Sequence, residues 1–129
     1  KLFMENICLN RDIVLKMELC EENPSVKMDT SLFEQVLINV IKNSAESIEE
    51  TGHILIRTSA EPLMLEVSDD GKGIAKEVEI KLFSPFFSTK PNGQGIGLIF
   101  IREVLMKHGC TFSLRTYEDG ITRFRICFP

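Results

Sequence analysis

The pattern of apolar and polar residues, with the turns between them, predicts five β-strands in this chain. Ile13–Cys20 alternates as a strand with one buried face does, and four further segments that flank turn residues are also predicted to be strands. The turn at Glu61-Pro62 joins the second and third of them, and the sequence EDG joins the last two. The predicted strands are Ile13–Cys20, His53–Ala60, Leu63–Ser68, Thr111–Tyr117 and Thr122–Phe128.

Three segments between these strands are predicted to be helices. The longest is expected over Ser31–Glu50, with Asp29 or Thr30 as its cap and Gly52 at its end. A short helix is expected over Lys76–Leu82. A third is expected over Gly97–Lys107, closed by Gly109. The order β-α-β-β-α-α-β-β predicts strands and helices packed in two layers.

Composition and charge restrict the class of protein. The chain has 129 residues, of which 43% are hydrophobic and 26% charged, as in one globular domain. A net charge of −4 argues against nucleic acid as a partner. The first residue is not Met, so we expect a piece of a longer protein. Because no apolar run approaches about 18 residues, this fragment is not expected to enter a membrane.

The four cysteines have no spacing typical of a metal site or a catalytic pair. They are Cys8, Cys20, Cys110 and Cys127, with no CxxC motif. We expect them to be small core residues in a reducing compartment.

The first long helix carries amides where a solvent-exposed face would favour Glu and Lys. On a helical wheel Asn39, Lys42, Asn43 and Glu46 form one stripe, opposite the apolar arc. Asn is unfavourable in mid-helix because its side chain competes for backbone hydrogen bonds. A solvated face is one explanation of this stripe. A site for a hard cation is the other, since Mg²⁺ binds amide oxygens.

Two glycine-rich clusters flank the sequence SPFFSTK. The first is DDGKGI at Asp69–Ile74, and the second is GQGIGL at Gly93–Leu98. Neither matches the P-loop or the dinucleotide motif. However, GQGIGL leads into a helix, whose N-terminal N–H groups can bind an anion. Asp69 and Asp70, at a strand end, could accept hydrogen bonds from a ligand.

Taken in order, these segments resemble the ATP-binding catalytic domain of bacterial sensor histidine kinases, within the wider gyrase, chaperone and mismatch-repair ATPase superfamily. EQVLINVIKNSAESI resembles the N box, DDGKGI the G1 box, LFSPFFSTK the F box, GQGIGL the G2 box and GITRFRICFP the last strand. Ser44 departs from the usual Ala after Asn43. The resemblance implies one domain over residues 1–129, with residues 1–12 a remnant of an upstream linker. The implied fold is α+β of the Bergerat type: a two-layer sandwich with a mixed, mostly antiparallel sheet covered on one face by about three helices.

The resemblance also implies how metal and phosphates are bound. Asn43 corresponds to the principal Mg²⁺ ligand. Asn39, one turn earlier, would assist at the metal or the phosphates. Lys42 and Lys90 would lie near the phosphates.

Base recognition and a lid over the nucleotide follow from the same resemblance. Asp69 would accept a hydrogen bond from the exocyclic amine of adenine, and Gly71 and Gly73 would let the backbone approach the purine. Residues Ser84–Gly97 would form the ATP lid. The remaining residues expected to contact the nucleotide are Ile74, Phe87, Thr89, Gly93, Gln94, Gly95, Ile96, Gly97 and Leu98.

The implied activity is transfer of the γ-phosphoryl group from ATP to a histidine on an upstream dimerisation and phosphotransfer domain, and from there to a response regulator. Neither His53 nor His108 fits as the acceptor, so the chain alone is expected to bind ATP and do little chemistry. The expected location is cytoplasmic, with a membrane anchor in the full-length protein left open.

Two alternatives remain open. One is a related ATPase or an anti-sigma-type serine kinase domain. The ATPases carry a general-base Glu where this chain has Asn39, which favours transfer over hydrolysis. The other is a non-catalytic nucleotide-sensing module, against which the intact ligand set argues.

Overall fold

The computed structural model describes residues 12–21, 28–82 and 95–129, with side chains in the last range described from Leu98 onward. The eight predicted elements are all present there, with ends that differ by a few residues from those expected. In chain order they are β1 (Asp12–Glu18), α1 (Thr30–Glu46), β2 (Thr51–Ala60), β3 (Leu63–Asp69), α2 (Lys76–Glu79), α3 (Gly95–Lys107), β4 (Thr111–Thr116) and β5 (Thr122–Cys127).

The strands form one five-stranded sheet in the order β1-β2-β3-β5-β4. β1 pairs with β2 in parallel, while the other three pairs are antiparallel. A parallel pair needs a crossover connection, and α1 lies in that connection. The predicted mixed, mostly antiparallel sheet is therefore confirmed.

One face of the sheet and the helices enclose the hydrophobic core. Because side chains alternate along a strand, the opposite face carries charged residues such as Arg57, Glu66 and Arg125. Asp69 and Thr122 continue the core-facing rows to one end of the sheet, where they stand opposite each other in register. The largest fully buried side chains are Val36 and Val40 of α1, Ile48, Ile54 of β2, Val67 of β3, Ile101 and Leu105 of α3, and Ile126 of β5.

Helix α1 begins at the predicted cap and ends earlier than predicted. Asp29 Oδ1 accepts a hydrogen bond from the N–H of Leu32 at 3.0 Å. The last helical residue is Glu46 and not Glu50, and Ser47 forms the C-terminal cap. The carbonyl of Ser47 accepts the N–H of Lys72 at 3.0 Å, in the turn after β3. The carbonyl of the cap residue therefore has a tertiary partner, which the apolar spacing does not reveal.

The prediction that Gly52 ends the helix is wrong, because Gly52 lies within β2. A Cβ at this position would lie 2.8 Å from Asp70 Oδ1 and 2.9 Å from Ile48 Cγ2. The absence of a side chain therefore allows a close approach between β2, the end of β3 and the core.

Helix α3 starts two residues before the predicted start at Gly97, and it ends at the predicted glycine. Gly109 has a φ of +75°. Its N–H bonds to the carbonyl of Met106 at 3.1 Å, and the N–H of Cys110 bonds to the carbonyl of Leu105 at 2.9 Å. This is the Schellman arrangement, in which glycine takes the left-handed position.

The cysteine prediction holds for Cys110 and is wrong for two others. Cys110 is buried, whereas Cys20, two residues beyond β1, and Cys127, the last residue of β5, are half-buried. Cys8 lies outside the described residues. Within the described ranges, no helix is long and apolar enough to cross a membrane.

Candidate functional site

The polar stripe predicted on α1 lies outside the hydrophobic core. Val36 and Val40 are fully buried on the opposite side of the helix. Asn39 and Asn43 are half-buried and Lys42 is exposed. Residues four apart lie on the same side of a helix, so the two amides share one edge of the covered face.

Asp69 is a buried carboxylate at the end of β3, with only 4% of its surface exposed. Its Oδ1 atom accepts hydrogen bonds from the Ser47 hydroxyl at 2.8 Å and from the N–H of Gly71 at 2.9 Å. Burial raises the pKa of Asp69, while hydrogen bonds from Gly71, Ser47 and Ser44 oppose that rise. Such a carboxylate is held in one orientation by the protein and can offer its remaining oxygen to a donor.

Asp70, the next residue, has a different environment and a different role. Its Oδ1 accepts the N–H of His53 at 2.7 Å, and its Oδ2 lies 2.8 Å from His53 Nδ1. Partial burial alone would raise the pKa of Asp70, but the hydrogen bonds and charge of His53 bring it below the usual value. Both oxygens therefore have protein partners, which separates Asp70 from the ligand-facing role that the sequence allowed for it.

The glycines of the first cluster are required by packing. A Cβ on Gly71 would lie 2.2 Å from Ser47 Oγ and 2.6 Å from the Ser47 carbonyl oxygen. Gly73 has a φ of +81°, and a Cβ there would lie 3.3 Å from Thr116 Oγ1. The N–H of Ile74 donates to the same Thr116 oxygen at 2.7 Å. These contacts bind the cluster to the end of α1 on one side and to β4 on the other.

Sequence reasoning did not identify Ser47, Thr116 and Thr122 as part of this site. Thr122 is 4% exposed, and its hydroxyl lies 2.7 Å from that of Thr116. Strand alternation offered a signal for Thr122, because it places a polar residue on the core-facing side at the end of β5. The pairing of β3 with β5, which brings Thr122 opposite Asp69, is a tertiary feature.

The remaining predicted site residues are only partly described. Gly95, Ile96 and Gly97 form the first turn of α3, and Leu98 is half-buried against the hydrophobic core. The lid prediction otherwise lies outside the described residues, as do Phe87, Thr89, Lys90, Gly93 and Gln94.

Comparison with protein families gives a match to the model described as "Histidine kinase-, DNA gyrase B-, and HSP90-like ATPase", over residues 28–129. The chain is 31% identical to the sensor histidine kinase ZraS of Escherichia coli O157:H7 over 121 residues, covering 92% of this chain and 26% of that protein. It is 37% identical to the C4-dicarboxylate transport sensor protein DctS of Rhodobacter capsulatus over 112 residues, covering 82% of this chain and 17% of DctS. The chain thus spans about a quarter or less of these two relatives.

A solved catalytic domain of the histidine kinase ThkA has the same fold. The two superpose with a TM-score of 0.83 at 28% identity, covering 99% of this chain and 92% of that one. The family match spans most of the chain, and the fold agrees with it. The chain therefore belongs to the histidine kinase-, DNA gyrase B- and HSP90-like ATPase family, and it is the ATPase domain of the histidine-kinase type found in sensor kinases.

Proposed function

We propose that this domain binds ATP with Mg²⁺ and donates the γ-phosphoryl group to a histidine on a separate dimerisation domain, from which it passes to a response regulator. The observation that carries this proposal is the buried, hydrogen-bonded carboxylate of Asp69, at the edge shared with the amides of α1. The match to an ATPase family supports binding of ATP by this domain.

Base recognition follows from the bonding capacity of Asp69. Its Oδ1 already accepts two hydrogen bonds from the protein. Ser44 also contributes a hydrogen bond to this carboxyl, but a carboxylate has about four acceptor sites, so Oδ2 keeps capacity for the exocyclic amine of adenine. Guanine has a carbonyl at the corresponding position, which a carboxylate repels, so the site would favour ATP over GTP.

Asn39 and Asn43 would hold the metal. They contribute neutral amide oxygens, which suits Mg²⁺ because this ion keeps several waters and binds substrate phosphates as well. Among the described residues, no cluster of three or more His, Cys, Asp or Glu offers another metal site. Bound Mg²⁺ would neutralise phosphate charge, and the exposed Lys42 would add a positive charge near the same edge.

The environment of His108 supports an acceptor on another domain. Its Nδ1 lies 2.8 Å from the carbonyl oxygen of Val104, and its Nε2 accepts the N–H of Asp29 at 3.2 Å, so both ring nitrogens are bonded within the domain. His53 has a structural role through Nδ1 and its N–H, which hold Asp70 at the end of β3.

Substitution of Asn43 tests the proposal. Asn43→Ala should abolish the Mg²⁺-dependent part of nucleotide binding and leave the melting temperature close to that of the wild type, because the change removes a ligand at the edge of the core. Calorimetric titration with a non-hydrolysable ATP analogue, with and without Mg²⁺, measures this.

Gln35→Ala is the matched control, since it removes an exposed amide from the same helix. It should leave binding unchanged. Unchanged Mg²⁺-dependent affinity in Asn43→Ala would show that Asn43 does not hold the metal.

A further inference from the structure

We propose that Ser47 is a positioning residue for nucleotide recognition: its hydroxyl fixes the carboxylate of Asp69 so that Oδ2 faces the adenine amine. This inference rests on the proposed function. It assigns part of the base selectivity to a side chain that does not itself contact the base.

Ser47 joins the end of α1 to the turn that follows β3. Its hydroxyl oxygen lies 2.8 Å from two acceptors, Asp69 Oδ1 and the carbonyl oxygen of Ser44. The hydroxyl has one hydrogen, and the charged carboxylate is the stronger acceptor of the two, so the hydroxyl donates mainly to Asp69. Its carbonyl oxygen accepts the N–H of Lys72 at 3.0 Å. Ser47 thus contacts residues on both sides of Gly71: Asp69 through its hydroxyl, and Lys72 through its backbone carbonyl.

Two donors on a single oxygen restrict the orientation of the Asp69 carboxylate. The terminal torsion of Asp is broad, so an unrestrained carboxylate would sample a range of planes. The Ser47 hydroxyl and the N–H of Gly71 both bond to Oδ1 and restrict that range. Loss of either donor widens the range of planes, and with it the positions of the second oxygen, which is the one left for a ligand.

Packing holds the Ser47 hydroxyl in place. The space in front of Gly71 is filled by this hydroxyl, since a Cβ there would lie 2.2 Å from Ser47 Oγ. Ser47 and Gly71 therefore act as a matched pair: the glycine leaves room for the hydroxyl, and both donate to Asp69.

Ser47 also favours the ionised form of Asp69. Burial raises the pKa of this carboxyl, as does the neighbouring charge of Asp70, and the hydrogen bonds from Gly71, Ser47 and Ser44 lower it. Without the bond from Ser47 the pKa of Asp69 rises further. A protonated Asp69 carries a hydrogen where adenine presents its own donor. ATP affinity should then decline at a higher pH than in the wild type.

The test compares wild type, Ser47→Ala and the control Ser31→Ala, which removes an exposed hydroxyl from the same helix. Calorimetric titrations use non-hydrolysable ATP and GTP analogues from pH 5 to pH 8. At pH 7.5 we expect Ser47→Ala to bind the ATP analogue roughly 2- to 10-fold more weakly, as for one lost hydrogen bond, with a smaller change for GTP. The decline of ATP affinity at low pH should move to higher pH, and Ser31→Ala should match the wild type.

A readout without nucleotide completes the test. The carboxyl carbon of Asp69, followed by NMR during a pH titration of the free domain, should titrate at higher pH in Ser47→Ala. An unchanged ATP-to-GTP ratio together with an unchanged Asp69 titration would overturn the inference. So would equal losses for both nucleotides, since that would indicate a merely structural role. Failure of the wild type to bind ATP would instead overturn the proposed function, and this inference with it.

Discussion

Two adjacent carboxylates, Asp69 and Asp70, show how strongly a residue's role depends on its surroundings. Asp69 is buried and bonded through one oxygen, and its pKa is raised. Asp70 is exposed and bonded through both oxygens to His53, and its pKa is lowered. The sequence DDG indicates a site with acidic residues at a strand end. Only the contacts distinguish the acid that can bind a ligand from the acid that holds the strand end together.

Asp69→Asn is the prediction at this scale. Asn can still accept from Ser47 and Gly71, but it replaces Oδ2 with an amide donor. ATP binding should weaken by about 1.5–3 kcal/mol, the range for a hydrogen bond to a charged group. Discrimination against GTP should fall as well, because the new donor suits the guanine carbonyl. Titration with both nucleotides measures the two effects.

Asp119→Asn serves as the control for that substitution. Asp119 lies in the exposed turn between β4 and β5, where it pairs with Arg123 at 2.7 Å. Its loss should leave both affinities unchanged. If Asp69→Asn still prefers ATP as strongly as the wild type, Asp69 does not read the base.

At the scale of elements, the face of the sheet opposite the helices is organised by a buried acid. Glu66 of β3 is 4% exposed, and Arg125 Nε lies 2.6 Å from its Oε2 atom. Arg125 also donates to the Tyr117 hydroxyl at 2.9 Å. The guanidinium carbons of Arg115, Arg123 and Arg125 lie 4.7–4.9 Å from the centre of the Tyr117 ring. This cluster joins β3, β4 and β5 on the side that has no helix in the described chain.

Substitution of Arg125 and substitution of Glu66 should lower the free energy of unfolding by different amounts. Arg125→Gln leaves a buried carboxylate whose next cation, Arg57, is 4.0 Å away. We expect the free energy of unfolding to fall by about 3 kcal/mol, the lower end of the range for breaking a buried pair. Glu66→Gln leaves a guanidinium that is 38% exposed and can bind water, so the loss should be about 1 kcal/mol.

Urea unfolding of both variants measures these free energies. Gln at either position keeps a polar side chain, so the two variants differ mainly in which charged group is left without its partner. Equal losses, or a larger loss for Glu66→Gln, would show that burial of Glu66 does not dominate the energetics of this face.

At the scale of the whole molecule, the fold brings the N-box helix and the first glycine cluster to one edge of a two-layer sandwich. The helix α1 lies in the connection between the parallel strands β1 and β2, and it reaches this edge where β3 pairs with β5. The proposed function depends on a partner at this scale. The proposed chemistry needs an acceptor histidine, and His108, whose two ring nitrogens are bonded within the domain, does not suit that role.

The isolated domain should therefore bind ATP with Mg²⁺ yet neither label itself nor release phosphate at a useful rate. Asn39 cannot deprotonate water as a glutamate could. Addition of a matching helical phospho-acceptor domain should restore transfer to its histidine. Transfer should be weaker than within one chain, since the effective concentration supplied by the tether is lost. Incubation with radiolabelled ATP, with and without the acceptor domain, measures this.

The stability of the label distinguishes the alternatives. Acid-labile label on the added domain supports histidine phosphorylation. Acid-stable label on this chain alone would indicate a serine kinase. Rapid phosphate release without an acceptor would indicate an ATPase.

The sequence by itself determined the order of the elements, the two-layer architecture and the family. Local periodicity identified the strands and helices, and the ordered boxes identified the family, because both kinds of signal are contiguous in the chain. The amide stripe on α1 and Asp69 were also predicted from sequence, since each lies within such a box.

Only the tertiary structure decided where α1 ends, why Gly52 and Gly71 are glycines, and which of the two carboxylates is buried. Each of these depends on a contact between distant segments: Ser47 with the turn after β3, Asp70 with β2, and Thr122 with β4 beside Asp69. Burial and hydrogen bonding set the pKa of a carboxyl group and the space available for a Cβ, and neither is expressed in local sequence periodicity.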